Sequence, residues 1–103
     1  MIYEMRVYTL QPGKTAAFQE LIEKEGLPII SKHSKLVGWW STDIGSLNEV
    51  VHIWAFEDLN HRDRVRKAQS EDPQLQAFRP KVQAMIVSQY NKILVPANFS
   101  PLK

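Results

Sequence analysis

The chain has no cysteine among its 103 residues. That excludes a disulfide framework, a thiol nucleophile and any cysteine-containing zinc site. No apolar run approaches the roughly 18 residues that a membrane helix needs, so no membrane span is expected. The opening "MIYEMRVYTL" lacks a basic stretch followed by an unbroken apolar run, and so shows no secretory signal. A soluble, cytoplasmic protein is the expectation. Neither sign of charge dominates: 13 Lys and Arg stand against 11 Asp and Glu, for a net charge of +2. Such a balance gives weak attraction to anionic partners, and no nucleic-acid partner is expected. Internal repeats and low-complexity tracts are absent. His33, His52 and His61 have no metal-ligand spacing among themselves or with carboxylates, so no metal is expected. No Gly-rich phosphate loop and no Ser–His–Asp spacing occurs, and no cofactor is expected. A lone histidine is compatible with axial haem ligation, but no local motif marks it.

What is present fits one domain over residues 1–103, with 44% hydrophobic and 23% charged residues, the usual proportions for a globular chain. Residues 2–10 are rich in β-branched and aromatic side chains and read as a strand. Pro12 and Gly13 signal a turn. A helix is expected from Lys14 to about Lys32, with Phe18, Leu21 and Ile22 forming its apolar stripe; Gly26 and Pro28 predict a kink or break near "GLP". Strands are expected over 36–42 and 48–56, joined by a turn around Gly45. Asp58 or Asn60 offers an N-cap for a polar helix reaching about Glu71, laced by Asp58–Arg62 and Asp63–Lys67 at i, i+4. Pro73 starts a second short helix, with Leu75 and Phe78 inward and Pro80 limiting its length. Residues 85–94 read as the fourth strand, and 96–103 as an extended C-terminal tail. The order is βαββαβ, an α+β, ferredoxin-like arrangement with a four-stranded antiparallel sheet, helices on one face and strands one and three adjacent at its centre.

All three tryptophans fall between Gly38 and Phe56, in "GWWSTDIGSLNEVVHIWAF". The third strand is apolar at both parities, with Val51, Ile53 and Ala55 on one and Val50, Trp54 and Phe56 on the other. A sheet with one wet face alternates apolar and polar residues instead, so both faces read as covered. Helices account for one; a second copy of the chain is the expected cover for the other. Neighbouring Trp39 and Trp40 must point to opposite faces.

These segments carry a resemblance. "YEMRVYTLQPGK", "GWWSTDIGSLNEVVHIWAFEDLNHRDRVR" and "FSPL" resemble the NIPSNAP family, a branch of the dimeric α+β barrel proteins, over nearly the whole chain. Glu4, Arg6 and Tyr8 match the family's opening-strand pattern. Gly45, Asn48, His52 and Trp54 match a G-x-x-N-x-x-x-H-x-W pattern, and Arg62 and Arg66 its basic helix start. Trp39 stands where the family usually has Tyr or Phe. The resemblance implies a ferredoxin-like monomer and a homodimer joined sheet to sheet. Eukaryotic members are linked to mitochondria and vesicle traffic, and the wider superfamily includes cofactor-free monooxygenases of aromatic quinols, haem-degrading oxygenases and isomerases.

The sharpest candidate chemistry lies in two same-parity sets, Glu4, Arg6 and Tyr8 on the first strand and His52 and Trp54 on the third. Brought to one face, they would combine a carboxylate, a guanidinium, a phenol and an imidazole around an indole. His52 or Glu4 would serve as base and Arg6 or Tyr8 as oxyanion stabiliser. The competing reading is a structural network, because buried charges are normally paired. His52, Arg6 and Glu4 are thus the candidate catalytic residues, and Tyr8, Asn48, Trp54 and Arg62 the candidate ligand-binding ones. Arg62 or Arg66, near the start of its helix, could hold an acidic ligand group. Three functions stay open: a small-molecule-binding or regulatory dimer, a cofactor-free monooxygenase or proton-transfer enzyme acting on a small aromatic or apolar substrate, and an interaction module. In the tail, Phe99 and Leu102 are expected to be buried, on their own domain, across a partner or closing a pocket.

Overall fold

The computed structural model describes residues 1–103. The strands are β1 (Ile2–Leu10), β2 (Lys35–Ser41), β3 (Glu49–Phe56) and β4 (Ile86–Leu94), and the helices α1 (Thr15–Leu21), α2 (Leu27–Ile30), α3 (Leu59–Glu71) and α4 (Pro73–Gln83). A π-helical segment, Ile22–Gly26, joins α1 to α2. The sheet is antiparallel with order β2-β3-β1-β4. This is the expected ferredoxin-like topology, with β1 and β3 central. No helix is long and apolar enough to cross a membrane.

One sheet face is closed by helices. Leu10 and Val50 from the sheet, Phe18 from α1, Ile22 from the π segment and Leu75, Phe78 and Val82 from α4 form one buried cluster; Trp54, Phe56 and Val65 form a second. The other face carries Met5, Val51 and Ile53, all partly exposed, flanked by Trp40 and Tyr90 at 53% and 56% exposure. Trp39 and Trp40 do part company. Trp39 lies opposite His52 and packs on Phe18 beneath the helices, while Trp40 lies opposite Val51 on the open face.

Local structure departs from the sequence pattern at four places, the first three for a tertiary reason. First, "GLP" neither breaks nor simply kinks the first helix. Pro28 has no N–H to offer the carbonyl four residues back, and its ring crowds that carbonyl. The backbone answers with a widened turn, in which Leu27 N–H donates to Ile22 C=O. The π segment brings Gly26 against Phe78, where a Cβ would stand 2.8 Å from the ring. Gly26→Ala is therefore expected to cost about 1–3 kcal/mol by overpacking, although alanine is the better helix former. Urea unfolding checks this; an unchanged midpoint would mean that α4 is free to shift.

Second, Pro80 does not end α4, which runs on to Gln83. Leu75, Phe78 and Val82 form one buried stripe across the proline, so packing outweighs the lost backbone bond. Third, Arg62 does not pair with Asp58. Asp58 caps α3 by accepting from the His61 N–H at 2.7 Å, while Arg62 turns inward to the sheet; Asp63 and Lys67 form no ion pair either. Fourth, the tail is not docked on its own domain. Phe99 is 91% and Leu102 52% exposed.

A bulge between Leu36 and Gly38 sets up the interior. Leu36 lies opposite Trp54, but Gly38 opposite Ile53 and Trp39 opposite His52. The extra residue switches parity, so Leu36 and Trp39, even and odd in the chain, both pack under the helices.

Candidate functional site

Register brings the two same-parity sets together. Glu4 pairs with Trp54, Arg6 with His52 and Tyr8 with Val50 across β1 and β3. All of these side chains lie on the helix-covered face, where α3 adds Arg62 and β4 adds Asn91.

Glu4 is the hub. Its side chain is buried, and it accepts from Arg6 Nη1 at 2.9 Å, Arg62 Nε at 2.9 Å, Arg62 Nη2 at 3.1 Å and Asn91 Nδ2 at 2.7 Å. Burial alone would raise its pKa. Hydrogen bonds from Arg62 and Asn91 and the charges of Arg6 and Arg62 outweigh that and bring it down to about 2. Arg6 also donates from Nε to Tyr8 Oη at 3.0 Å. Glu4 is thus a fixed anion whose lone pairs are occupied.

His52 is 3% exposed. Its ring stacks on Trp39 with centroids 4.1 Å apart and meets Tyr8 edge-on at 4.8 Å. Trp54 Nε1–H donates to His52 Nδ1 at 2.6 Å. An indole nitrogen only donates, so Nδ1 is the acceptor and the proton of the neutral ring sits on Nε2. Burial, and then the Arg6 charge, push the imidazole pKa down to about 3 against the weaker pull of Glu4. The neutral ring therefore presents an N–H donor into the interior. Neither His52 Nε2 nor Trp39 Nε1, both buried, has a hydrogen-bond partner.

Both rings line a cavity of about 320 Å³ between the sheet and the helices. Phe18, Trp54, Leu75 and Phe78 supply apolar wall; Arg6, Arg66 and Arg79 supply charge. Of the residues marked from sequence, Glu4, Arg6, Tyr8, His52 and Trp54 are brought together here. Asn48 is not. It sits just ahead of β3 with φ 57°, in the left-handed conformation that asparagine tolerates, and its carbonyl accepts from Leu10 N–H at 2.7 Å. Arg62 is held on Glu4 rather than lining the cavity. Arg79 and Asn91 escaped sequence reasoning, since a single Arg in "AFRPK" and a single Asn in a strand carry no local signal. Trp39 was visible as an aromatic, but only the bulge aims it at His52. No group of three or more His, Asp or Glu side chains is arranged to hold a metal ion.

The NIPSNAP family profile matches residues 3–101. The chain belongs to the NIPSNAP family. It is 42% identical over 77 residues to the human protein NipSnap homolog 3A, covering 74% of this chain and 31% of that protein. This NIPSNAP chain therefore spans about a third of the length of that curated relative. Among solved structures, a NIPSNAP domain protein from Burkholderia xenovorans is 42% identical and superimposes with a TM-score of 0.95, covering 98% of this chain and 99% of that one. More distantly, a putative antibiotic biosynthesis monooxygenase from Nitrosomonas europaea is 12% identical with a TM-score of 0.69, over 93% of this chain and 98% of that one; at that identity the likeness concerns the fold alone.

Proposed function

We propose that this NIPSNAP domain is a homodimeric small-molecule-binding protein whose ligand occupies the cavity beneath the helices. One observation carries the reading: His52 and Trp39, stacked on each other, each hold a buried N–H with no acceptor. An unsatisfied buried donor costs about 1–3 kcal/mol. Two of them side by side in a cavity form a ready-made cradle for an acceptor atom. The apolar wall and few converging polar groups are those of a ligand pocket.

The dimer rests on the open sheet face, where Met5, Val51 and Ile53 lie between half-exposed Trp40 and Tyr90. A second copy is the partner that such a face fits. Native mass spectrometry of gently purified protein tests both halves of the reading. The expected mass is about twice 11.9 kDa plus a small adduct released on unfolding. A single-chain mass at micromolar concentration would remove the dimer. A dimer that carries no adduct, and whose Trp39 indole signal responds to no small molecule, would leave the interaction-module reading instead.

The enzymatic alternative has one point in its favour. Two convergent N–H donors beside Arg6 would also stabilise an oxyanion developing on a small aromatic or apolar substrate. In that reading His52 acts as a donor and Arg6 as a charge, while Glu4 positions Arg6. Neither His52 nor Glu4 has the features of a general base near neutral pH, because Nδ1 is occupied and the carboxylate is saturated. Binding is the simpler account of the site.

A further inference from the structure

Three guanidiniums, Arg6, Arg66 and Arg79, line the cavity together with a single carboxylate, Glu4. That carboxylate is already committed to Arg6, to Arg62 from outside the cavity, and to Asn91. Arg66 and Arg79 form no ion pair. Arg66 comes from α3 and Arg79 from α4, so the two helices bring their charges to the same opening. Like charges gathered in a partly desolvated place repel. The Arg79 guanidinium is correspondingly pushed down, by burial first and then by the Arg66 and Arg6 charges. Nothing in the fold requires this arrangement: Arg66 is exposed and Arg79 half-buried, and either could have been a neutral residue without opening a hole in the core.

The cavity thus has two kinds of unmet demand. On the aromatic wall are the orphaned His52 Nε2–H and Trp39 Nε1–H. On the helix side are two cations without an anion. A neutral apolar ligand would answer neither, and a free inorganic anion would leave the aromatic wall empty. Building on the small-molecule reading above, we propose that the ligand is an amphipathic acid: an apolar, ring-sized body carrying a carboxylate or phosphate held by Arg66 and Arg79, with an oxygen acceptor on the body or the acid reaching the Trp39–His52 donors. Planar guanidiniums suit either oxyanion, because each presents parallel N–H donors.

The test uses three probes that share one ring system: 1-naphthoate, 1-naphthyl phosphate and the neutral methyl 1-naphthoate. Binding is measured by isothermal titration on the full chain, with the Trp39 indole N–H followed by ¹⁵N NMR to place the probe. At least one acid is expected to bind about tenfold or more tighter than the ester, as charge-assisted hydrogen bonds are markedly stronger than neutral ones, and to shift the Trp39 signal. Arg66→Gln/Arg79→Gln is expected to bring that acid down to the level of the ester. Arg66→Gln alone, at an exposed position, provides a variant certain to keep the core and should remove part of the advantage. Which acid leads assigns the group as carboxylate or phosphate. If ester and acids bind equally, or the acid advantage survives the double variant, the acidic-ligand assignment is wrong while the binding cavity stands. If no probe binds and the Trp39 signal stays still at millimolar concentration, the cavity reading falls with it.

Discussion

Replacing Glu4 by alanine is expected to lower the unfolding free energy by about 3–5 kcal/mol, the range for breaking a buried ion pair from one side. Nothing else in the chain is tied to so many elements. The carboxylate joins β1 to α3 through a two-pronged bond from Arg62, to β4 through Asn91 and to its own strand through Arg6. Its removal leaves two guanidiniums facing each other without an anion. Urea unfolding at neutral pH reads the loss. In an Arg62→Ala background the same replacement should cost less, by a coupling of about 0.5–3 kcal/mol, because one of the stranded charges has gone. A loss no larger than that of an ordinary surface substitution, about 0.5 kcal/mol, would mean that water reaches the arginines and does the work of the carboxylate. Acid offers an independent reading. With its folded pKa held at about 2, Glu4 contributes fully above its ordinary value and loses that contribution as pH falls from about 4.5 towards 2. The loss amounts to about 3 kcal/mol.

The fold was legible because its signals are local. Apolar runs of strand length, the Pro12–Gly13 turn and the restart at Pro73 mark every strand and most helix starts to within a residue or two. Parity alone placed Glu4, Arg6 and Tyr8 on one side of β1 and His52 and Trp54 on one side of β3; only adjacency of the strands was needed to bring them together. What stayed illegible depends on partners distant in the chain. The π segment before Pro28 sets Gly26 against Phe78 from α4, a contact that no local signal reveals. Arg62 leaves its helical neighbour Asp58 because a buried carboxylate is a better partner than an exposed one, and that preference exists only after α3 has packed on β1. Arg79 has no sequence context that marks it as a cavity residue. Docking of the tail on its own domain failed for the opposite reason. Phe99 and Leu102 look like anchors, yet the chain itself offers them no groove. Hydrophobicity predicts a wish for burial, not the surface that grants it.

His52 should control a second and broader acid limb of stability. Histidine in the unfolded chain takes up a proton near pH 6.5, whereas in the fold burial and the Arg6 charge delay protonation to about pH 3. Over that interval the unfolded state binds one proton more than the native state, so stability must fall as pH falls, by about 1.4 kcal/mol per unit. Between pH 6.5 and 4.5 this loss precedes that of Glu4. His52→Gln removes the titrating group. Whatever constant penalty the variant carries from leaving the Trp54 indole N–H with a poorer acceptor, the gap between wild-type and variant stabilities should narrow on acidification by about 2 kcal/mol over those two units. Subtracting the curves isolates His52 from every other group in the chain. A gap that stays constant, or widens, would show that the folded imidazole accepts its proton near neutrality, and would restore His52 as an acid–base group. NMR supplies the atomic counterpart: the Nε2–H tautomer should persist from pH 8 to pH 5, held by the Trp54 donor on Nδ1. Any pH dependence of ligand binding in that range would then belong to the ligand's own acidic group, since the site that receives it keeps both its charges and its donors unchanged.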